Sequence, residues 1–116
     1  MTIERIEIGP RMSKAVAHGN TVYLAGQVAD QAKGKSVGEQ TAEILAIIDS
    51  LLAQAGSDKT KILSATIWLT DIATFPEMNA QWDSWVPAGE TPARATVQAA
   101  LAAPEYKVEI AVIAAR

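Results

Sequence analysis

With 116 residues, 49% hydrophobic and 20% charged, the chain has the size and composition of one compact domain over residues 1–116, not of a disordered segment or coiled coil. It has no cysteine and one histidine, His18, which excludes disulfides, thiolate zinc sites and a cysteine nucleophile and disfavours a multi-histidine metal centre or serine–histidine triad. A net charge of −3 with no cluster of Lys or Arg points away from nucleic acid; no apolar run nears the ~20 residues of a membrane span, and MTIERIEIGP lacks a signal-peptide core, so the expected location is the cytoplasm.

IERIEI (residues 3–8) alternates apolar and charged residues as a half-buried strand does, and Gly9-Pro10 breaks it. His18-Gly19-Asn20 makes a hairpin turn between the short run KAVA and the strand TVYLAG (residues 21–26), which leaves His18 exposed. Ser36 with Glu39 forms a capping box, and a helix is expected over Val37–Ala55. Its Ile44, Ile48, Leu51, Leu52 and Ala55 recur at helical spacing, and Gly56 supplies the stop. Asp58-Lys59-Thr60-Lys61 reads as a solvated loop. ILSATIWLT (residues 62–70) suits a central strand buried on both faces, with Trp68 as packing. Thr74 with Glu77 is a second capping box, opening a helix whose inner stripe is Phe75, Met78, Trp82 and Trp85. PARATVQ and YKVEIAVIA close the chain as two strands.

This order describes an α+β domain with both helices on one face of a sheet. The other face is too apolar for water. Along the last strand Val108, Ile110 and Val112 alternate with Glu109, Ala111 and Ile113, so both of its sides carry apolar groups. Another copy of the same chain is the simplest cover, and an obligate oligomer is expected.

Two charges interrupt the closing strands. In PARATV, Arg94 and Thr96 share one face, while Ala93, Ala95 and Val97 share the other. If this strand pairs with the last, Arg94 and Glu109 lie near each other on the oligomer-facing side. One reading is a structural ion pair across the two strands. The other is a small-molecule site, with the guanidinium fork receiving a carboxylate and a partly desolvated Glu109 holding or activating a water.

GPRMSKAV, TVYLAGQV, the Pro-Ala-Arg of TPARATV, MNAQW and YKVEIAVIA together resemble the Rid family, the reactive intermediate deaminases also called YjgF. The likeness covers nearly the whole chain, and the GPRMS and ATIWL wording is similar to the YoaB-like branch. The resemblance implies a chorismate-mutase-like fold and a homotrimer with a central β-barrel and clefts at the subunit interfaces. The implied activity is hydrolysis of 2-imino or enamino acids to 2-oxo acids and ammonia, with no cofactor and no metal. Arg94 matches the arginine that clamps the substrate carboxylate, and Glu109 the glutamate that positions the attacking water. Thr96 stands where a backbone N–H helps bind the carboxylate, and Asn79 matches an asparagine near the cleft; with Arg94 and Met12 they make up the implied substrate-binding set.

Two positions depart from the family pattern: Met12 stands where a tyrosine reaches into the cleft, and Ala25 replaces a serine. Arg11, beside Met12, is expected to be solvated. The substrate preference implied by the resemblance is therefore the least constrained part of it. A non-catalytic trimer binding 2-oxo acids through the same Arg94 pocket is the alternative from a different class. An endoribonuclease, also attached to parts of the family, is disfavoured by the acidic charge.

Overall fold

The computed structural model describes residues 1–116. Its elements are β1 (Ile3–Ile8), β2 (Ser13–His18), β3 (Thr21–Leu24), α1 (Val37–Gln54), β4 (Ile62–Leu69), α2 (Phe75–Trp85), β5 (Ala93–Gln98) and β6 (Val108–Ala115). The strands form one mixed sheet in the order β1-β2-β3-β6-β4-β5. All neighbours are antiparallel except β4 and β5, which run parallel with α2 as the crossover between them. The α+β class is as expected, and no helix is long and apolar enough to cross a membrane.

Local chemistry explains most boundaries. At the β2–β3 hairpin His18 pairs with Thr21 across Gly19-Asn20, and Gly19 supplies the positive φ of 60° that such a tight turn needs. Ser36 caps α1, its Oγ accepting from the Glu39 N–H at 3.1 Å. The helix ends at Gln54 with Ala55 as its cap, and Gly56 (φ 77°) turns the chain away. Asp58 caps a short 3-10 turn at Lys59–Lys61, where the sequence suggested only a loop.

The second capping box does not form. A 3-10 turn at Ile72–Thr74 runs straight into α2, and the Thr74 hydroxyl donates to the Asp71 carbonyl at 2.6 Å. Glu77 instead reaches α1, its Oε2 accepting from the Gly38 N–H at 2.7 Å. A carboxylate at that helix N-terminus also complements the helix dipole. Trp85 adds a second tie, donating from Nε1 to Asp49 at 3.0 Å.

One core holds the layers together. Ile44, Ile48, Leu51 and Leu52 of α1 and Met78 and Trp82 of α2 meet Ala65, Ile67 and Leu69 of β4 and Val108, Ile110 and Val112 of β6. Buried Gln40 is the polar exception. Its Nε2 donates to the carbonyls of Lys35 (3.2 Å) and Glu105 (2.8 Å), and its Oε1 accepts from the Lys107 N–H (2.9 Å). It thereby pins the loop that delivers the chain to β6. Gln40→Leu strips the Lys107 N–H and the Lys35 carbonyl of these partners, while the Glu105 carbonyl keeps the Gly34 N–H at 3.1 Å, and is expected to cost about 2–4 kcal/mol of stability, measured by denaturant unfolding.

The sheet's second face has no cover within the chain. β4 is central as expected, yet Ser64, Thr66 and Trp68 on that side are only half-buried, because both helices occupy the other side. Tyr23 is 48%, Val97 46% and Ile113 37% exposed there. Tyr23 and Ile113 are cross-strand partners, so the apolar groups adjoin.

Candidate functional site

β5 does not pair with β6; β4 lies between them. Register then fixes the faces. Arg94 pairs with Ala65, which pairs with Val112, and both of those are buried on the helix side. Glu109 pairs with Trp68, on the open side. The two charges therefore project from opposite faces of the sheet, and the expected approach of Arg94 to Glu109 on one face of one chain is not made. The ion-pair reading within the chain falls with it: the one salt bridge in the structure joins Arg116 to Glu4.

Arg94 is half-buried on the edge strand beneath α2. Its Nη1 donates to Asn79 Oδ1 at 2.8 Å. The guanidinium carbon lies 5.5 Å from the Phe75 ring centre and 5.3 Å from that of Trp82, both within cation–π range. Thr96, one strand repeat further along β5, shares this face, and its buried hydroxyl has no partner. A buried polar atom without a hydrogen bond is uncommon in a folded chain. Asn79, read from the sequence as a substrate contact, here has its carbonyl oxygen engaged by Arg94.

Glu109 is half-buried and makes no side-chain hydrogen bond or ion pair. Desolvation raises its pKa above the ordinary 4.5. Its carboxylate rests on Gly26, where the chain after β3 continues alongside β6 through the Gln27–Ile110 bridge. The glycine is needed for space: a Cβ at Gly26 would overlap Glu109 Oε2. The half-buried Trp68 is its cross-strand neighbour rather than core packing.

The remaining sequence candidates lie apart. Met12 is 54% exposed in the β1–β2 connection, beside a shallow hollow of about 240 Å³ that Arg11 and Lys14 also line. Arg11 and His18 are exposed, as expected. Ala25 donates its backbone N–H to the Lys14 carbonyl at 2.9 Å. No cluster of side chains suited to a metal ion is present. The residues that sequence reasoning missed as part of the site are Phe75 and Trp82, read there only as packing on the inner stripe of the second helix. Their spacing with Asn79 puts all three along one side of α2, but what packs there is set by the parallel β4–β5 pairing.

The family model described as Endoribonuclease L-PSP matches residues 2–116. RutC family protein YoaB of Escherichia coli is 50% identical over 115 residues, covering 99% of each chain. The crystal structure of a YjgF-family protein from Neisseria meningitidis superposes with a TM-score of 0.96 at 46% identity, covering 100% of this chain and 96% of that one. A more distant relative, 36% identical over 112 residues (92% of this chain, 80% of its own), is 2-iminobutanoate/2-iminopropanoate deaminase of Bos taurus. The sheet order, the helix-covered face and the sequence thus agree, and the chain belongs to the Endoribonuclease L-PSP family, also called YjgF or Rid, in the branch that includes YoaB.

Proposed function

We propose that the protein hydrolyses small 2-imino or enamino acids to 2-oxo acids and ammonia, in a cleft built from two copies of the chain. The observation that carries this reading is a pair of half-buried charges, Arg94 and Glu109, neither with a counter-ion. Charges removed from water are normally paired, so an unpaired arginine and an unpaired glutamate in one small chain are groups held for something else. The name of the bovine relative supplies the reaction class.

Because the two groups leave opposite faces of one sheet, a site containing both takes Arg94 from one protomer and Glu109 from its neighbour. Trimerisation through the open, partly apolar face supplies the neighbour and buries Tyr23, Val97 and Ile113. Arg94 receives the substrate carboxylate in its free N–H groups, and the Thr96 segment completes the anion pocket. Glu109, ionised and more basic than usual because of its desolvation, takes a proton from water as the oxygen attacks the imine carbon. The C=N π bond breaks toward nitrogen, and the proton held by Glu109 passes to that nitrogen, giving a tetrahedral amino alcohol. Glu109 then takes the proton of the new hydroxyl and delivers it to the amine; the C–N bond breaks, ammonia leaves, the carbonyl of the 2-oxo acid forms, and Glu109 is ionised again. Free imines already hydrolyse in water, so positioning and one acid–base group suffice. A small anionic substrate suits a chain of net charge −3 with no basic cluster better than RNA does.

The test is an assay that generates 2-iminopropanoate and follows its disappearance. Wild-type protein is expected to shorten the imine lifetime, and Arg94→Ala to remove most of that effect. Binding of pyruvate without any change in imine lifetime would instead establish a non-catalytic 2-oxo-acid binder.

A further inference from the structure

We propose that Asn79, Phe75 and Trp82 form a cradle that positions Arg94 while leaving its charge unspent, and that the neutrality of Asn79 is what makes Arg94 an anion receptor. The inference rests on the reading that Arg94 receives a carboxylate. Every direct partner of the guanidinium is neutral: one amide oxygen at 2.8 Å and two aromatic rings at 5.3 and 5.5 Å. No carboxylate pairs with it, although it is half-buried and five residues of α2 and its flanks are acidic or amide in character: Asp71, Glu77, Asn79, Gln81 and Asp83. Glu77, the acid nearest to Asn79 along the N-terminal half of α2, is directed away to Gly38 of α1.

The geometry separates two jobs that an acidic partner would merge. Phe75, Asn79 and Trp82 sit at successive turns along one side of α2, so the rings flank the guanidinium and the amide oxygen fixes one of its nitrogens. Ring faces and a carbonyl oxygen attract a cation through quadrupole and dipole, without cancelling its net charge. An aspartate in the same place would hold the arginine at least as firmly and would also neutralise it. Asn79 is thus a positioning residue that acts through Arg94 and has no required contact with substrate.

Two substitutions at this one position give opposite orders under the two accounts. Asn79→Asp keeps an oxygen acceptor and removes the unspent charge; Asn79→Ala keeps the charge and removes the acceptor. Binding of 2-oxobutanoate to the intact oligomer, measured by titration calorimetry, is expected to weaken by about tenfold or more in Asn79→Asp and by clearly less in Asn79→Ala, since a like charge beside a bound anion acts directly on its affinity. The thermal midpoint of Asn79→Asp is expected to equal or exceed that of wild type. Alanine weakening binding as much as aspartate, or more, overturns the proposal and makes the amide a simple brace. The half-buried Phe75 gives an independent pair should Asn79→Asp hinder folding: Phe75→Glu is expected to weaken binding more than Phe75→Leu, and the reverse order counts against the proposal. Arg94→Ala keeps the two levels apart. If it leaves binding unchanged, the anion-site reading itself fails; if it abolishes binding while Asn79→Asp does not weaken it, the charge-preserving role alone is wrong.

Discussion

Glu109→Gln is expected to lower the rate of imine hydrolysis by roughly 10²–10⁴-fold, the range for loss of one acid–base group, with no loss of thermal stability. Glutamine keeps the shape that rests on Gly26 and removes the charge, so the variant separates chemistry from packing. The stability expectation has a definite sign. Desolvation raises the folded-state pKa of Glu109 above 4.5. Between that ordinary value and the raised one, the folded chain keeps a proton that the unfolded chain has released. Stability therefore falls as pH rises through this window and stays lower at neutral pH. Glutamine has no charge to desolvate, so its melting midpoint is expected to equal or slightly exceed wild type at neutral pH and to lack this decline. Solvent screening of a partly exposed group keeps the gain below about 1 kcal/mol. For catalysis the slope is opposite: the carboxylate must be ionised to accept a proton, so the wild-type rate drops on the acid side, at a pH above that of an ordinary glutamate. Melting curves and rates over one pH series test both signs. A Glu109→Gln enzyme that retains wild-type rate ends the assignment of Glu109 as the base.

Much of this arrangement was written in local sequence. The hairpin at Gly19-Asn20, the Ser36 cap, the Gly56 stop and the apolar stripes of both helices depend on neighbours within a few residues, and each is where the residues put it. The same holds for the open sheet face, which follows from counting helices against alternating strands. What local reasoning misplaced was set by distant contacts. Two consecutive strands at the end of the chain invite a hairpin, but residues 99–107 carry the chain past β4, and α2 makes β5 parallel to β4 instead. The alternation β4–α2–β5 was itself the available signal for a parallel pair. Glu77 shows the same limit: its spacing from Thr74 fitted a cap, while the better donor was an α1 backbone N–H thirty-nine residues away. Arg94 and Glu109 were found as a pair from residue type and resemblance, yet their faces could be assigned only once the register was known.

That assignment of faces leads to the strongest expected result. A mixture of Arg94→Ala and Glu109→Gln chains, each nearly inactive alone, is expected to regain activity when the two are co-expressed or unfolded and reassembled together. On the proposed reading, each cleft draws its arginine from one protomer and its glutamate from the next. With random assembly from equal amounts, about one cleft in four combines an intact Arg94 with an intact Glu109, so about a quarter of wild-type activity returns. The reciprocal control is a chain carrying both substitutions, which with wild type dilutes activity and with either single variant restores none. Complementation of this kind is impossible if both groups of a site come from one chain, because every chain in the mixture lacks one of them. It is equally impossible for a monomer, so light scattering on the same samples must show the trimer mass. Assembled mixed trimers that stay as inactive as their parents would place the two groups in one protomer's site or remove one of them from the chemistry. The first alternative conflicts with the sheet register, which sets Arg94 beside Ala65 and Glu109 beside Trp68 on opposite faces. Failure would therefore fall on the roles of the residues rather than on the fold.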